Sequence, residues 1–553
     1  MPHSSYLALA LAVAAVLAMA AVEVSGLGFD LHHRYSPIVQ RWAEERGHAG
    51  VSWPAGAEVI GSPEYYSALS RHDHALFARR GLAQGDGLVT FADGNITLRL
   101  DGSLHYAEVA VGTPNTTFLV ALDTGSDLFW VPCDCKQCAP LGNLTAVDGG
   151  GGPELRQYSP SKSSTSKTVT CASNLCDQPN ACATATSSCP YAVRYAMANT
   201  SSSGELVEDV LYLTREKGAA AAAAGAAVRT PVVFGCGQVQ TGSFLDGAAA
   251  DGLMGLGMEK VSVPSILAST GVVKSNSFSM CFSKDGLGRI NFGDTGSADQ
   301  SETPFIVKST HSYYNISITS MSVGDKNLPL GFYAIADSGT SFTYLNDPAY
   351  TAYTTNFNAQ ISERRANFSG STRSGPFPFE YCYSLSPDQT TVELPIVSLT
   401  TNGGAVFPVT SPVYPIAAQM TNGEIRIIGY CLAVIKSDLP IDIIGQNFMT
   451  GLKVVFNREK SVLGWQKFDC YKDEKMTDDG SSVGSPSPSP GPTTHVFPQP
   501  QESDSPAGRT PIPGAAPVPR SSSAAAGGRA GFRLLSSMAL LLLAAAAAAA
   551  AVF

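Results

Sequence analysis

An acid at the end of an apolar strand, set in a turn of small residues, occurs twice in this chain of 553 residues. Residues 118–132 read Phe-Leu-Val-Ala-Leu-Asp-Thr-Gly-Ser-Asp-Leu-Phe-Trp-Val-Pro, so β-forming residues deliver Asp123 to a Thr-Gly-Ser turn and a second apolar run follows. Residues 332–345 repeat the phrase as Phe-Tyr-Ala-Ile-Ala-Asp-Ser-Gly-Thr-Ser-Phe-Thr-Tyr-Leu, with Asp337 as the acid. A strand ending this way presents its acid at the base of a cleft rather than on a solvated face. Two such loops facing each other would form a pair of carboxyls.

The tetrapeptide alone is not decisive, because Asp294-Thr-Gly-Ser297 matches it equally well. Asn-Phe-Gly precedes Asp294 and the polar Ala-Asp-Gln-Ser follows Ser297. That context predicts a hairpin turn between 289–292 and 303–306, with a solvated acid. Spacing agrees: roughly 200 residues separate Asp123 from Asp337, enough for a half-domain each, whereas Asp294 precedes Asp337 by only about 40.

The chain is 44% hydrophobic and 15% charged, with 53 Gly. This favours a β-rich globular protein over a disordered one. The net charge of −10, a pI near 5.4 and the lack of a basic block argue against a nucleic-acid partner.

Residues 7–22 form an apolar stretch too short for a comfortable span and read as a signal-peptide core, giving a signal over residues 1–26. Residues 27–96 carry much of the local basic charge and histidine, at His32-His33-Arg34, Arg71-His72-Asp73-His74 and Arg79-Arg80. They are expected to be a pro-segment that covers an acidic cleft at neutral pH and lets go when the cleft acids protonate. The first lobe is placed at 97–300 and the second at 301–472. Short strands are expected at 98–100, His105–Val111 and 117–122. A Cys-rich insertion runs from Cys133 to Cys189, and a hairpin is expected over 190–213 with its turn near 198–203. An alanine tract at 219–227 reads as a surface loop. Strands at 453–456 and 462–465 are expected to close the second lobe. An apolar-apolar-Gly unit follows each acid loop, Leu253-Met-Gly255 and Ile443-Ile444-Gly445, so the two lobes are an internal repeat.

A Pro/Ser-rich linker is expected over 473–523, most clearly over 481–519. Residues 524–553 end in an apolar tail after a run of small residues, the layout of a glycosylphosphatidylinositol (GPI) signal, with Ser523 as the attachment candidate. Both ends place the folded part on the extracellular face of the plasma membrane or in the cell wall. The sequons at Asn95, Asn115, Asn143, Asn199, Asn315 and Asn367 fit that location as glycosylation sites. In such a compartment the 12 cysteines read as disulfides, although Cys133, Cys135 and Cys138 have a spacing zinc could use. The expected pairs are Cys382–Cys431 within the second lobe and Cys470 with either Cys236 or Cys281. No metal and no cofactor is expected.

Two carboxyls a few ångströms apart share one proton. The ionised one can draw a proton from a water between them, and the protonated one can donate to a carbonyl under attack. Gly125 and Gly339 would let the loops turn tightly, and the hydroxyls of Thr124, Ser126, Ser338 and Thr340 would hold the acids and brace the loops together.

With these motifs the chain resembles the pepsin-like aspartic protease family over roughly 97–470. The Cys-rich insertion after Trp130, the Cys189-Pro-Tyr step and Phe234-Gly-Cys-Gly237 resemble its plant nepenthesin-type branch. The resemblance implies an all-β, bilobal fold with a few short helices, its two barrel-like lobes flanking a central cleft. It also implies catalysis by Asp123 and Asp337, a zymogen, and a monomer acting on extended polypeptides at acid pH. The family's flap tyrosine corresponds to Tyr195. The family's Gly-Asp-Gly after it is replaced here by Ala196-Met-Ala-Asn199, with a sequon at the tip. Trp130 would pack in the core with one edge towards Tyr195 or touch substrate. The alternative is a non-catalytic binding or inhibitor protein on the same scaffold.

Overall fold

The computed structural model describes residues 27–33, 61–77, 105–139, 157–195, 200–214, 227–245, 249, 251–283, 287–307, 313–368, 377–387, 389–420, 424–438, 440–467 and 493–496. All belong to the first of two compact units, Met1–Gln501. The signal, the GPI tail with Ser523, Asn95, Asn143, Asn199, Cys470 and the side chain of Tyr195 lie outside the described residues. So do the strand expected at 98–100, most of the alanine tract and most of the linker.

The protein is built on β-sheet. One sheet has 14 described strands and carries His105–Val111, Thr116–Asp123, Leu253–Gly255, Trp130–Gln137, Ala227–Thr241 and Thr200–Thr214 in that lateral order. A second, of eight described strands, carries Asn315–Val323, Phe332–Ala336, Asp442–Ile444, Thr343–Leu345 and Val434–Lys436. A third, of four strands, contains Cys382–Ser384 and Ile425–Leu432.

The two acid-bearing strands sit in matching local topologies. Thr116–Asp123 pairs parallel with Leu253–Gly255, bringing Asp123 opposite Gly255, and Trp130 pairs antiparallel with Leu253 on its other side. In the second lobe Phe332–Ala336 pairs parallel with Asp442–Ile444, and Tyr344 pairs antiparallel with Ile443. The short apolar strand is thus sandwiched between the strand entering the acid loop and the strand leaving it. Buried within the sheet, it has no solvated face, which explains its unbroken apolar character. The glycine ending each unit is there for space. A Cβ on Gly255 would lie 2.3 Å from the Asp127 carbonyl carbon, and one on Gly445 2.1 Å from the Phe342 oxygen.

Three pairings differ from the expectations above. Leu452–Asn457 and Val462–Lys467 do not close the second lobe's own sheet. They join the large sheet, where Leu452–Asn457 pairs with Ser277–Phe282. The segments around Asp294 do not form a hairpin: Leu287–Phe292 pairs with Ser277–Phe282 and Leu27–His33, while Ser301–Pro304 pairs with Val462–Lys467. Inside the Pro/Ser-rich stretch, Thr493–Val496 is a strand, paired antiparallel with Thr391–Leu394. Its four residues include three β-branched ones, which suit an extended backbone.

The Cys-rich insertion is stapled by Cys135–Cys138, Cys171–Cys182 and Cys176–Cys189, and is tied to Ala227–Thr241 by Cys133–Cys236. The thiols whose spacing zinc could use are therefore consumed in bridges. Cys236 is likewise taken, which removes it as a partner for Cys470. Cys281 is disulfide-bonded to a residue outside the described set. Cys382 and Cys431 are joined in the second lobe.

Helix α1 (Pro63–Phe77) starts cleanly. Ser62 Oγ accepts the Tyr65 amide at 3.1 Å, and Pro63 occupies the first turn, where its missing N–H costs nothing. Tyr65, Tyr66 and Leu69 pack with Phe342, Phe379 and Ile416 in a core cluster separate from the main one. The main core runs through both lobes, with Phe278 stacked on Phe456 at 4.8 Å and Tyr314 edge-on to Phe456 at 4.7 Å.

Candidate active site

Asp123 and Asp337 are almost fully buried, at 3% and 1% exposure. Each acid folds its own turn. Asp123 Oδ1 accepts the Gly125 N–H at 2.8 Å and its Oδ2 accepts the Ser126 hydroxyl at 2.5 Å. Asp337 Oδ1 accepts the Gly339 N–H at 3.1 Å and its Oδ2 accepts the Thr340 hydroxyl. One backbone and one side-chain donor thus aim each carboxyl.

The loops are locked face to face by a reciprocal set of hydrogen bonds. The Thr124 N–H donates to Ser338 Oγ at 3.1 Å, and the Ser338 N–H to Thr124 Oγ1 at 2.9 Å. The Thr124 hydroxyl continues to the Ala336 carbonyl at 3.1 Å, and the Ser338 hydroxyl to the Leu122 carbonyl at 3.3 Å. Gly339 lies directly against the first acid: a Cβ there would fall 2.3 Å from Asp123 Oδ1. Gly339 thus touches the carboxyl of Asp123 while its own N–H is held by Asp337. Any side chain at 339 would collide with the Asp123 carboxyl.

Asp294 forms the same local turn, accepting the Gly296 N–H at 2.8 Å, but elsewhere. It is not a solvated acid. It pairs with Lys453 at 2.9 Å, with both side chains largely buried, and accepts the Ser279 hydroxyl at 2.6 Å. Burial works to raise its pKa; the Lys453 charge and the hydrogen bonds from Ser279 and Gly296 outweigh it, and the net shift is downward.

Several supporting residues escaped the sequence reading. Gln446 follows Ile443-Ile444-Gly445; its Nε2 donates to the Ser338 carbonyl at 2.6 Å and its N–H to the Thr340 carbonyl at 2.8 Å. Gln446 Oε1 in turn meets His105 Nδ1 at 3.0 Å, linking the loop to the first lobe. On the Asp123 side, Leu256 N–H donates to the Asp123 carbonyl at 2.8 Å and Gly257 N–H to the Ser126 carbonyl at 2.7 Å. The position after each apolar-apolar-Gly unit was the signal for these. Asp73, on α1, accepts hydrogen bonds from Ser341, Phe342 and Tyr344, just past the Asp337 loop. It was hidden among the basic residues around it.

Trp130 is buried and packs on Phe244 at 4.9 Å. Tyr195 ends strand Pro190–Tyr195, which pairs with Thr200–Thr214 in a hairpin. Among the sequons in the described residues, Asn115 and Asn367 are exposed and Asn315 is half-buried at the start of its strand. Cys171, Cys176 and Cys182 cluster at metal-ligand distances, but all three are in disulfides.

A two-lobed β-protein with one such acid loop per lobe is the pepsin-like class. Two family models match the chain, one described as xylanase inhibitor N-terminal over residues 105–294 and one as xylanase inhibitor C-terminal over 313–467. Aspartyl protease family protein 1 of Arabidopsis thaliana is 48% identical over 449 residues, 81% of this chain and 82% of that protein. Aspartic proteinase nepenthesin-1 of Nepenthes gracilis is 26% identical over 386 residues, 66% of this chain and 78% of that protein. The crystal structure of basic 7S globulin from soybean aligns with a TM-score of 0.49 at 22% identity, over 66% of this chain and 92% of that one. The chain belongs to the plant pepsin-like aspartic protease family, in its atypical branch.

Proposed function

We propose that this protein is an aspartic endopeptidase that hydrolyses peptide bonds with a water held between Asp123 and Asp337. The observation that carries this reading is the reciprocal Thr124–Ser338 lock, which seats Asp123 against Gly339. One carboxyl is ionised and takes a proton from the water as it attacks the scissile carbonyl. The other is protonated and donates to the developing oxyanion. The first carboxyl then passes the proton taken from the water to the leaving amine, and the diol returns a proton to the second carboxyl as the carbonyl re-forms. No covalent intermediate is required. Optimum activity falls at acid pH, where the pair holds one proton between them.

The substrates are extended polypeptides, and the enzyme works as a monomer. Its proposed location is the outer face of the plasma membrane, reached through a signal peptide and held by a GPI anchor near Ser523. Release from cells by a phosphatidylinositol-specific phospholipase tests the anchor, and retention after treatment would remove it.

Asp123→Asn and Asp337→Asn should each lower acid-pH peptide cleavage by at least roughly 10²–10⁴-fold while leaving the fold intact. Unchanged turnover in either variant ends the mechanism. A second reading, a non-catalytic inhibitor or binding protein, draws on the descriptions of the two matching family models. Against it, both acid loops are complete and every turn hydrogen bond described above is made. Folded wild-type protein that binds but never cleaves any member of a peptide library would favour it.

A further inference from the structure

Among the described residues, strand Thr391–Leu394 has a single partner strand, and that partner comes from the Pro/Ser-rich stretch. Val392 and Leu394 are buried, at 2% and 0% exposure, and belong to the main core, while Thr391 and Glu393 are exposed. Alternate side chains therefore fix this strand to the second lobe. Left uncovered, its backbone would offer unpaired N–H and C=O groups to any extended chain. Thr493–Val496 covers it in continuous register, from Thr391 opposite Val496 to Leu394 opposite Thr493.

The sequence marks out the same segment. Pro486, Pro488, Pro490 and Pro492 precede it, and Pro498 and Pro500 follow. Proline has no N–H to give to a ladder, so pairing is confined to the run Thr-Thr-His-Val-Phe between Pro492 and Pro498. Thr493, Thr494 and Val496 are β-branched and suit a strand. A composition otherwise fit for an extended spacer thus carries an interval able to add a strand, and that interval lies on an edge it can pair with.

We propose that Thr493–Val496 is a strap by which the C-terminal stretch docks on the second lobe, so that the tether to the membrane begins at Val496 and not at Lys467, where the last body strand ends. The tether half of this inference rests on the anchor reading given above; the docking half does not. Roughly 55 residues separate Lys467 from Ser523, and roughly 26 separate Val496 from Ser523; at about 3.1 Å per residue of proline-rich chain, docking cuts the fully extended reach from about 170 Å to about 80 Å. A strand of four residues makes few bonds of its own. The pairing is sustained because the connection of roughly 25 residues from Lys467 keeps the strap at high local concentration.

Amide hydrogen exchange on the full chain tests the docking. In Thr494→Pro/His495→Pro, amides within Thr391–Leu394 should exchange at least roughly tenfold faster than in wild type, whereas Gln499→Pro, beyond the strand, should leave them unchanged. Equal exchange in wild type and the double-proline variant would overturn the strap. A second test uses no proline. Glu393 and Thr494 stand opposite each other, so Glu393→Cys/Thr494→Cys should close a disulfide within one chain, and Glu393→Cys/Ser487→Cys should not. Equal closure of the two pairs would overturn the strap even if the double-proline variant fails to fold. Retention on cells after phospholipase treatment would overturn the anchor and the tether half alone, since both docking tests are read on the protein whether or not it is anchored.

Discussion

The loop of Asp123 and the loop of Asp337 have the same turn, the same two donors per carboxyl and the same sandwiched apolar strand, but different surroundings. Apart from its bonds to the opposite loop, the first is braced from nearby: Leu256 and Gly257, the residues that follow its own apolar-apolar-Gly unit, hold Asp123 and Ser126 by backbone bonds. The second reaches further. Gln446 ties it to His105 in the first lobe, and Asp73 on α1 holds the turn just beyond Thr340. The exchange also runs the other way, because Leu452–Asn457 and Val462–Lys467 leave the second half to join the large sheet beside Ser277–Phe282. The repeat is one of topology, then, and neither half is complete without chain supplied by the other.

The sharpest way to break that comparison is at the crossing point. Lys453 stands on a strand from the end of the chain, and its partner Asp294 comes from the first half. Both side chains are mostly buried, so Lys453→Met strands a carboxylate in a poorly solvated place. The expected loss is about 3–5 kcal/mol of unfolding free energy. Because the halves share a sheet, urea unfolding should stay a single transition at a lower midpoint, with turnover per folded molecule unchanged. Two separate transitions in the wild type would show that the halves are independent.

A smaller effect concerns pH and separates the second loop from the first. Burial pushes the Asp73 carboxyl from an ordinary 3.8 up to about 7; the hydrogen bonds from Ser341, Phe342 and Tyr344 pull it down but do not overcome the burial. A pKa raised on folding means the stabilisation is complete below the free value and is lost as pH rises through about 7. The wild-type Tm should therefore fall between roughly pH 4 and 7 relative to that of Asp73→Asn and run parallel to it above that range. Parallel Tm profiles throughout would show that folding leaves the Asp73 pKa at its free value. The direction is opposite to that expected of a basic segment over acidic groups, which loosens on acidification. The basic side chains in question, at Arg71, His72 and His74, lie outside the described residues.

What could be read in the sequence was whatever local pattern determines. Strand His105–Val111, the strand into Asp123, the hairpin begun by Pro190–Tyr195 and the turns around the acids follow from alternation, apolar runs and Gly placement. Pairings between distant segments did not follow. Nothing in Lys-Val-Val-Phe456 says whether it joins the nearer sheet or the farther one, since both offer an apolar edge. Thr493–Val496 was masked by the prolines and serines around it, and Asp73 by the histidines and arginine flanking it. Gln446 was visible as a residue type, but its two bonds to the Asp337 loop depend on a helix start that periodicity does not reveal in four residues.

The smallest predicted effect bears on why Asp-Thr-Gly-Ser occurs where no chemistry is expected. All three acids accept the N–H of the glycine two residues on, so the tetrapeptide specifies a turn. Chemistry then depends on what the turn faces: Gly339 for Asp123, and an ammonium group for Asp294. If the Asp294 turn is purely structural, replacing both charges by groups of similar size should nearly cancel, because an apolar pair escapes the desolvation cost that an ion pair carries. The double variant Asp294→Asn/Lys453→Met is expected to lie within about 1 kcal/mol of wild type, well above Lys453→Met alone, with wild-type kcat. A double variant as unstable as the single one would mean that the Ser279 and Gly296 hydrogen bonds, not the ion pair, hold this corner. A fall in kcat at unchanged stability would bring the third acid back into the chemistry.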